Sequence, residues 1–295
     1  MSVKQAKLPL QYEVVCAAAA GTCVVFVTNP FEVVKTRLQL EGEGVAGKLR
    51  PANPLARLVA IARAEGLRGM QAGLLSGILY QQAMNGTRLG GYDLAKSALS
   101  WVPVAGLQSA LAGALTGCAG AFVASPFYQI KVRLQSNQIE ANLLGGLAAV
   151  VRDEGFGGLF RGANGAVIRV AMGSAAQLSS YDTCKQLIHQ YLHLDGTPLH
   201  LASSLSASVF VILVMNPFDV VSTRLYSAPP GKFRGVAHCF TAALRHEGIP
   251  GLYKGSPANY LRLGPHTILT LMAWEKFKGL AKEHLAPDRR DDERL

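Results

Sequence analysis

The sequence predicts an all-α membrane protein of six transmembrane helices, arranged as three repeats of two helices with a short surface helix between them. Three observations carry that prediction. A proline-led motif recurs as Pro30-Phe31-Glu32-Val33-Val34-Lys35-Thr36-Arg37, Pro126-Phe127-Tyr128-Gln129-Ile130-Lys131-Val132-Arg133 and Pro217-Phe218-Asp219-Val220-Val221-Ser222-Thr223-Arg224. The copies lie 96 and then 91 residues apart, which is the signature of a threefold repeat of about a hundred residues. Stretches 14–31, 102–130 and 201–218 hold no Asp, Glu, Lys or Arg, and each suits the roughly 20 residues that cross a bilayer core. Finally, 49% of the 295 residues are hydrophobic and only 16% charged, which argues against two ordinary soluble domains.

Each repeat opens on its charge-free stretch, rich in Ala, Gly, Ser and Val as close-packed membrane helices are. A weaker apolar stretch closes it, at 73–92, 163–181 and 256–274, each with an arginine inside. Two spans per repeat give six. The other architecture that satisfies backbone groups in lipid is a closed β-barrel, and no ten-residue segments of alternating polarity support it. Between the spans stand Glu65-Gly66, Glu154-Gly155 and Glu247-Gly248. The preceding stretches, 54–64, 141–153 and 234–246, have helical apolar spacing, so a short surface helix ending at a glycine is expected. There follow Gly73, Phe160-Arg161-Gly162 and Tyr253-Lys254-Gly255, with repeat one departing at Gln71-Ala72. At the far end of each second span comes an aromatic, an acid, two spacers and a base: Tyr92-Asp93-Leu94-Ala95-Lys96, Tyr181-Asp182-Thr183-Cys184-Lys185 and Trp274-Glu275-Lys276-Phe277-Lys278. One copy would be an ordinary helix-end pair. Three in register imply a ring. The repeats are expected at 10–100, 101–192 and 197–283, with a charged, solvated tail at 284–295.

The net charge of +10 is placed rather than spread. Segments 35–72, 131–161 and 222–254 hold 16 Lys and Arg against 7 Asp and Glu, so one membrane face is basic. That location favours a membrane rim over a nucleic-acid footprint. Cys16, Cys23, Cys118, Cys184 and Cys239 have no CxxC or paired spacing, so neither a zinc site nor a disulfide framework is indicated. No cleavable signal peptide is visible, and targeting is expected to be internal. No nucleophile–base set or metal cluster occupies equivalent positions, so enzyme catalysis has no support and no cofactor is expected.

The proline-acid-base, Glu-Gly and aromatic-acid-base elements together resemble the mitochondrial carriers, solute carrier family 25, over about residues 10–280. The resemblance implies six tilted helices around a central cavity, three short matrix helices, and a multi-pass inner-membrane protein with both termini toward the intermembrane space. It implies a monomer, with cardiolipin expected at Gly73, Arg161-Gly162 and Lys254-Gly255, where exposed helix N-termini attract phosphate. It also implies helix kinks at Pro30, Pro126 and Pro217. Within the family, 85–92 and 262–269 are most similar to the oxaloacetate-carrier branch and its animal relatives, members thirty-four and thirty-five.

Carried over residue by residue, the motif charges form two gates. On the matrix side Glu32 faces Lys131 and Asp219 faces Lys35, with Gln39 and Gln135 as braces and Tyr226 at the third brace position. The third pair is Tyr128 with Ser222, where acid and base are missing together. A lone charge left there would cost several kcal/mol at membrane depth, so the double replacement keeps a neutral pair able to hydrogen-bond, and this contact is expected to be the weak one. The cytoplasmic ring of Asp93, Lys96, Asp182, Lys185, Glu275 and Lys278 is complete.

Thirteen residues before each outer acid stand Tyr80, Arg169 and Arg262, roughly 20 Å deeper along the helix. Ideal geometry offsets them from the ring acids by about 140°, so the assignment rests on register and on the family's substrate contact positions. An intramembrane arginine defaults to a functional reading, and two guanidiniums with a phenol suit a small dianion held by bidentate forks. The neighbours are Gln81, Val170 and Leu263; in the family, amino-acid carriers tend to follow the second-contact arginine with an acid where this chain has Val170, and nucleotide carriers lack that arginine, so the resemblance implies dicarboxylates, keto acids or inorganic oxyanions such as sulfate. Arg88 and Gln177, with Thr270, form a second polar layer in which Arg88 either binds substrate or only ties helices together. His266 is read as a packing residue at a proline kink, with proton coupling as its alternative. The expected function is therefore transport of a small anionic metabolite by alternating access. An uncoupling-type proton or fatty-acid anion leak and a non-transporting membrane adaptor remain as alternatives.

Overall fold

The computed structural model describes residues 10–42, 53–139, 142–192 and 196–285. The charged tail from residue 286 and part of the first basic loop lie outside them. Among the described residues there are ten α-helices, one short 3-10 helix at Phe156–Phe160 and no strand. The helices are α1 (Leu10–Gln39), α2 (Pro54–Met70), α3 (Leu74–Ala98), α4 (Ala105–Val123), α5 (Ser125–Gln135), α6 (Leu143–Glu154), α7 (Ala163–Leu192), α8 (Gly196–Ser227), α9 (Val236–Leu252) and α10 (Ser256–Leu285). Repeat one is α1–α3, repeat two α4–α7 and repeat three α8–α10.

The long helices close a circle. α1 packs on α10 and α3, α3 on α4 and α5, α4 on α7, α7 on α8, and α8 on α10. Two helices carry windows long and apolar enough to cross a membrane by length and composition, Gly106–Val123 in α4 and Ala202–Ser227 in α8. α3, α7 and α10 carry the arginines and ring charges, which lower their hydropathy.

The three prolines act differently. Pro30 and Pro217 lie inside continuous helices, whereas at Pro126 the chain breaks into α4 and α5 at Ala124. Proline removes a backbone donor and crowds the carbonyl four residues earlier. The carbonyls left free four residues before Pro30 and Pro217 accept from Gln71 Nε2 and the Tyr253 hydroxyl, at 3.0 and 3.1 Å, and the residue before each proline makes a further tie. Asn29 Nδ2 donates to the carbonyls of Met70 and Ala72 at 3.2 and 3.3 Å. Asn216 Nδ2 donates to those of Leu252 and Lys254 at 3.0 and 3.5 Å, and Ser125 Oγ to that of Leu159 at 3.4 Å. Each bond ties the proline region to the connection between its own repeat's surface helix and second long helix.

The surface helices start and stop as chain chemistry dictates. Asn53 and Asn142 cap α2 and α6, accepting from Leu55 and Gly145 backbone N–H groups at 3.0 and 3.3 Å. The glycine after the glutamate breaks the helical path in each repeat, ending α6 at Gly155 but only kinking α2 at Gly66 and α9 at Gly248, which continue to Met70 and Leu252; φ is 65°, 74° and 68° at Gly66, Gly155 and Gly248. That left-handed region is where glycine carries no Cβ penalty.

Candidate functional site

The ring at the proline end is built from α1, α5 and α8. Lys131 Nζ ion-pairs with Glu32 Oε2. Lys35 Nζ lies 2.5 Å from Asp219 Oδ2, with Asp219 fully buried. Gln39 supports the second pair, donating from Nε2 to Asp219 at 2.9 Å while its Oε1 accepts from Thr223 at 2.9 Å. Gln135 sits differently. Its Oε1 accepts from Thr36 at 2.8 Å, but its Nε2 donates to Asn29 at 3.3 Å rather than to Glu32. Glu32 has another donor available, since Arg262 Nη1 lies 2.7 Å from its Oε1.

The third contact departs from the expected neutral hydrogen-bonded pair. Ser222 is buried and, among the described residues, its hydroxyl has no hydrogen-bond partner. Tyr128 instead lies in an aromatic row, 4.9 Å from the Tyr80 ring and 5.1 Å from that of Tyr226, centroid to centroid. The Tyr226 hydroxyl is 2.8 Å from Ser125 Oγ. Gly162 makes room for this arrangement, because a Cβ there would come within 2.3 Å of the Tyr226 ring. Packing therefore fills the place of the missing ion pair.

Above this floor lies a cavity of about 240 Å³. Its walls include Tyr80, Gln81, Arg88, Arg169 and Arg262, together with Glu32, Lys35 and Lys131 of the ring. The arginines reach the ring carboxylates. Arg169 Nη2 donates to the Tyr80 hydroxyl at 3.0 Å, its Nε lies 3.7 Å from Asp219 Oδ1, and its guanidinium carbon is 5.5 Å from the Tyr128 ring centre. At the floor, Lys35, Lys131, Arg169 and Arg262 thus share two carboxylates, Glu32 and Asp219. His266 also lines the cavity. Val170 does not, because it packs with Leu40, Ala121 and Val132 against α4, touching the space over Gly117. Gln177 is exposed and lies off the cavity wall among its described residues. For Val170 the reason is helical: one step past Arg169 turns it by about 100°.

At the opposite end Asp93, Lys96 and Glu275 are exposed, Lys185 is half-buried, and Lys278 Nζ sits 4.3 Å over the Trp274 ring. The Asp182 side chain lies outside the described ones.

One set of residues escaped the sequence reading. The arginine ending each proline motif pairs with the glutamate of its own repeat's Glu-Gly element. Arg37 binds Glu65 through two bonds of 2.5 and 2.8 Å, Arg133 binds Glu154 at 2.9 Å and Arg224 binds Glu247 at 2.8 Å. Each Nε then donates to a backbone carbonyl of another repeat: Arg37 to Gln135, Arg133 to Tyr226 and Arg224 to Gln39, at 2.9, 3.2 and 3.2 Å. The three links form a closed cycle. Both halves of each ion pair stood in register in the sequence, and that shared period was the available signal. Hydrogen bonds from Arg37 hold the Glu65 carboxyl below its ordinary value. Burial pushes the Glu247 carboxyl up, and bonds from Arg224 and Lys254 outweigh it, leaving it lowered.

The bases expected at lipid sites are engaged within the protein. Arg161 pairs with Glu154 at 2.7 Å and donates to the Ala228 carbonyl. Lys254 pairs with Glu247 at 2.7 Å and donates to the Glu41 carbonyl at 2.8 Å. Gly73 and Gly255 allow close packing on the next helix, since a Cβ at either would lie 3.1–3.2 Å from the Lys131 or Lys35 carbonyl oxygen.

A family model described as "Mitochondrial carrier protein" matches residues 6–102, 103–192 and 195–285. The chain is 38% identical to human Solute carrier family 25 member 35, across 89% of this chain and 95% of that one. It is 36% identical to the mitochondrial oxaloacetate transport protein of Saccharomyces cerevisiae, across 89% and 87%. Identity is also 36% to mitochondrial citrate transporter E of Aspergillus niger, across 89% and 91%. The chain therefore belongs to the mitochondrial carrier family, whose members are solute transporters of the inner membrane and not enzymes.

Proposed function

We propose that this carrier moves small dianions, dicarboxylates or keto acids such as oxaloacetate, by alternating access between the two charged rings. One observation carries the reading: four cations on two carboxylates leave a surplus of two positive charges at the cavity floor. A dianion neutralises that surplus. Its two carboxylates compete with Glu32 for Arg262 and with Asp219 for Arg169, and each guanidinium offers a fork suited to a carboxylate. Substrate binding then withdraws one cation from each gate acid. The floor loosens only when an anion replaces the contact, which supplies the differential affinity a conformational switch requires. Reclosure of the far ring, from Asp93 through Lys278, offsets the contacts broken at the floor.

In this reading all six long helical segments span the inner membrane, the termini face the intermembrane space, and the carrier works as a monomer. Cardiolipin headgroups sit at the basic helix starts, supported by a second cavity of about 200 Å³ beside Arg161 and Arg234. The oxaloacetate-transporting relative supports the substrate class, and the citrate-transporting one extends it to a third carboxylate. The test is uptake into proteoliposomes of labelled dicarboxylates, keto acids, citrate, sulfate and amino acids. Arg169→Ala and Arg262→Ala are expected to abolish uptake of the preferred dianion. Robust uptake by either variant refutes the site.

A further inference from the structure

Five cationic side chains line the cavity: Lys35, Arg88, Lys131, Arg169 and Arg262. Four of them are ion-paired at the floor. Arg88 is the exception. It is exposed to the cavity and, among the described residues, no carboxylate pairs with it. It shares α3 with Tyr80, eight residues closer to the floor, which is about 12 Å along the axis. Both Cα–Cβ bonds tilt toward the helix N-terminus, so neither side chain starts out toward the other's level more than its partner does. The carboxyl carbons of an extended four-carbon dicarboxylate stand only about 4 Å apart, three C–C bonds end to end. One such anion cannot hold Arg88 and the Tyr80–Arg169 level together.

We propose that Arg88 is an outer anion site in the same cavity, where a dicarboxylate docks by one carboxylate before it descends to Arg169 and Arg262. The inference rests on the transport reading above. Its logic is electrostatic: an arginine without a carboxylate partner attracts an anion at once, whereas Arg169 and Arg262 must first be drawn from Asp219 and Glu32. Arg88 therefore governs capture, and the floor governs turnover. Because the site is exposed, salt screens it over roughly 10 Å at 0.1 M.

The test is initial-rate exchange in proteoliposomes at low and high ionic strength for wild type, Arg88→Gln and Arg88→Lys. Expected for Arg88→Gln is a KM for the preferred dicarboxylate raised about tenfold at low salt, within the range that electrostatic steering supplies. Its kcat should fall less than twofold, the gap from wild type should narrow in about 0.3 M salt, where the screening length shrinks to roughly 6 Å, and Arg88→Lys should recover most of the loss. Wild-type KM and salt dependence in Arg88→Gln overturn the proposal, and so does a fall in kcat at unchanged KM. A floor variant separates the two levels: Arg262→Ala inactive beside a wild-type-like Arg88→Gln removes the outer site alone. Malonate-induced shifts in the unfolding temperature of detergent-solubilised protein read binding without transport. If wild-type protein neither transports nor is stabilised by any dianion, both readings fall.

Discussion

Asp219→Asn is the sharpest test of the proline-end ring. The carboxylate is fully buried and accepts from Lys35 at 2.5 Å and Gln39 at 2.9 Å, with Arg169 at 3.7 Å. Removing its charge leaves Lys35, itself only 8% exposed, without a counter-ion. Breaking one partner of a buried pair costs about 3–5 kcal/mol, because the other charge stays desolvated. Lys35 lines the cavity and keeps some access to water, so about 3 kcal/mol is the better figure. For a chain of 295 residues, at about 2.1 cal/mol/K of unfolding entropy per residue, that corresponds to a fall of roughly 5 °C in the unfolding midpoint. Removing both charges with Lys35→Met and Asp219→Leu should return at least half of the loss, since apolar replacement of a buried pair is often neutral. Thermal unfolding of the detergent-solubilised variants reads both outcomes. A single variant within about 2 °C of wild type, or a double variant no better than the single, refutes the reasoning.

Two further outcomes follow from buried and interfacial polar groups. Gln129 is fully buried with neither amide atom partnered among the described residues, at the place where the other repeats have Val33 and Val220. An unsatisfied buried amide costs about 1–3 kcal/mol, so Gln129→Val should raise the unfolding midpoint by a few degrees, and a fall would show that the amide has a partner. Glu65 and Glu247 both have carboxyl pKa values lowered in the folded protein. Their stabilisation is therefore present above the ordinary value of about 4.5 and is lost as pH falls through the folded one. Glu65→Gln should lower stability at neutral pH and flatten the acid limb of the stability profile; an unchanged acid limb counts against the Arg37–Glu65 tie.

The sequence was most legible where three copies could be compared. Register placed the glycines that kink α2 and α9 and end α6, and register together with the family resemblance gave the ion pairs Glu32–Lys131 and Lys35–Asp219. Register and the family's contact positions together carried Arg169 and Arg262 into the cavity, although a helical wheel gave no reason for it. What stayed hidden were contacts that join different motifs. The Arg37–Glu65 type of pair links residues 28 apart in sequence, beyond any local periodicity, and needs the fold of the surface helix to bring them together. Val170 and Gln177 failed for the opposite reason. Val170 was adopted as the sequence neighbour of Arg169, from which one helical step turns it by about 100°, and Gln177 as one of a polar layer set by register with Arg88 and Thr270.

The broken copy of the ring explains how two arginines suffice to sense three contacts. Arg262 touches the first through Glu32. Arg169 touches the second through Asp219, and it also lies over Tyr128 while bonding Tyr80, so it reaches the third as well. Had Tyr128 been a carboxylate paired to a lysine at 222, Arg169 would face two acids and the floor would hold it more tightly against an incoming anion. A phenol row offers the guanidinium a face that costs less to leave, since a cation over an aromatic ring is worth about 0.5–2 kcal/mol. In the proposed cycle the substitution therefore acts on the substrate side as much as on the gate: one dianion that takes Arg262 and Arg169 loosens all three inter-repeat contacts, and the aromatic one yields first.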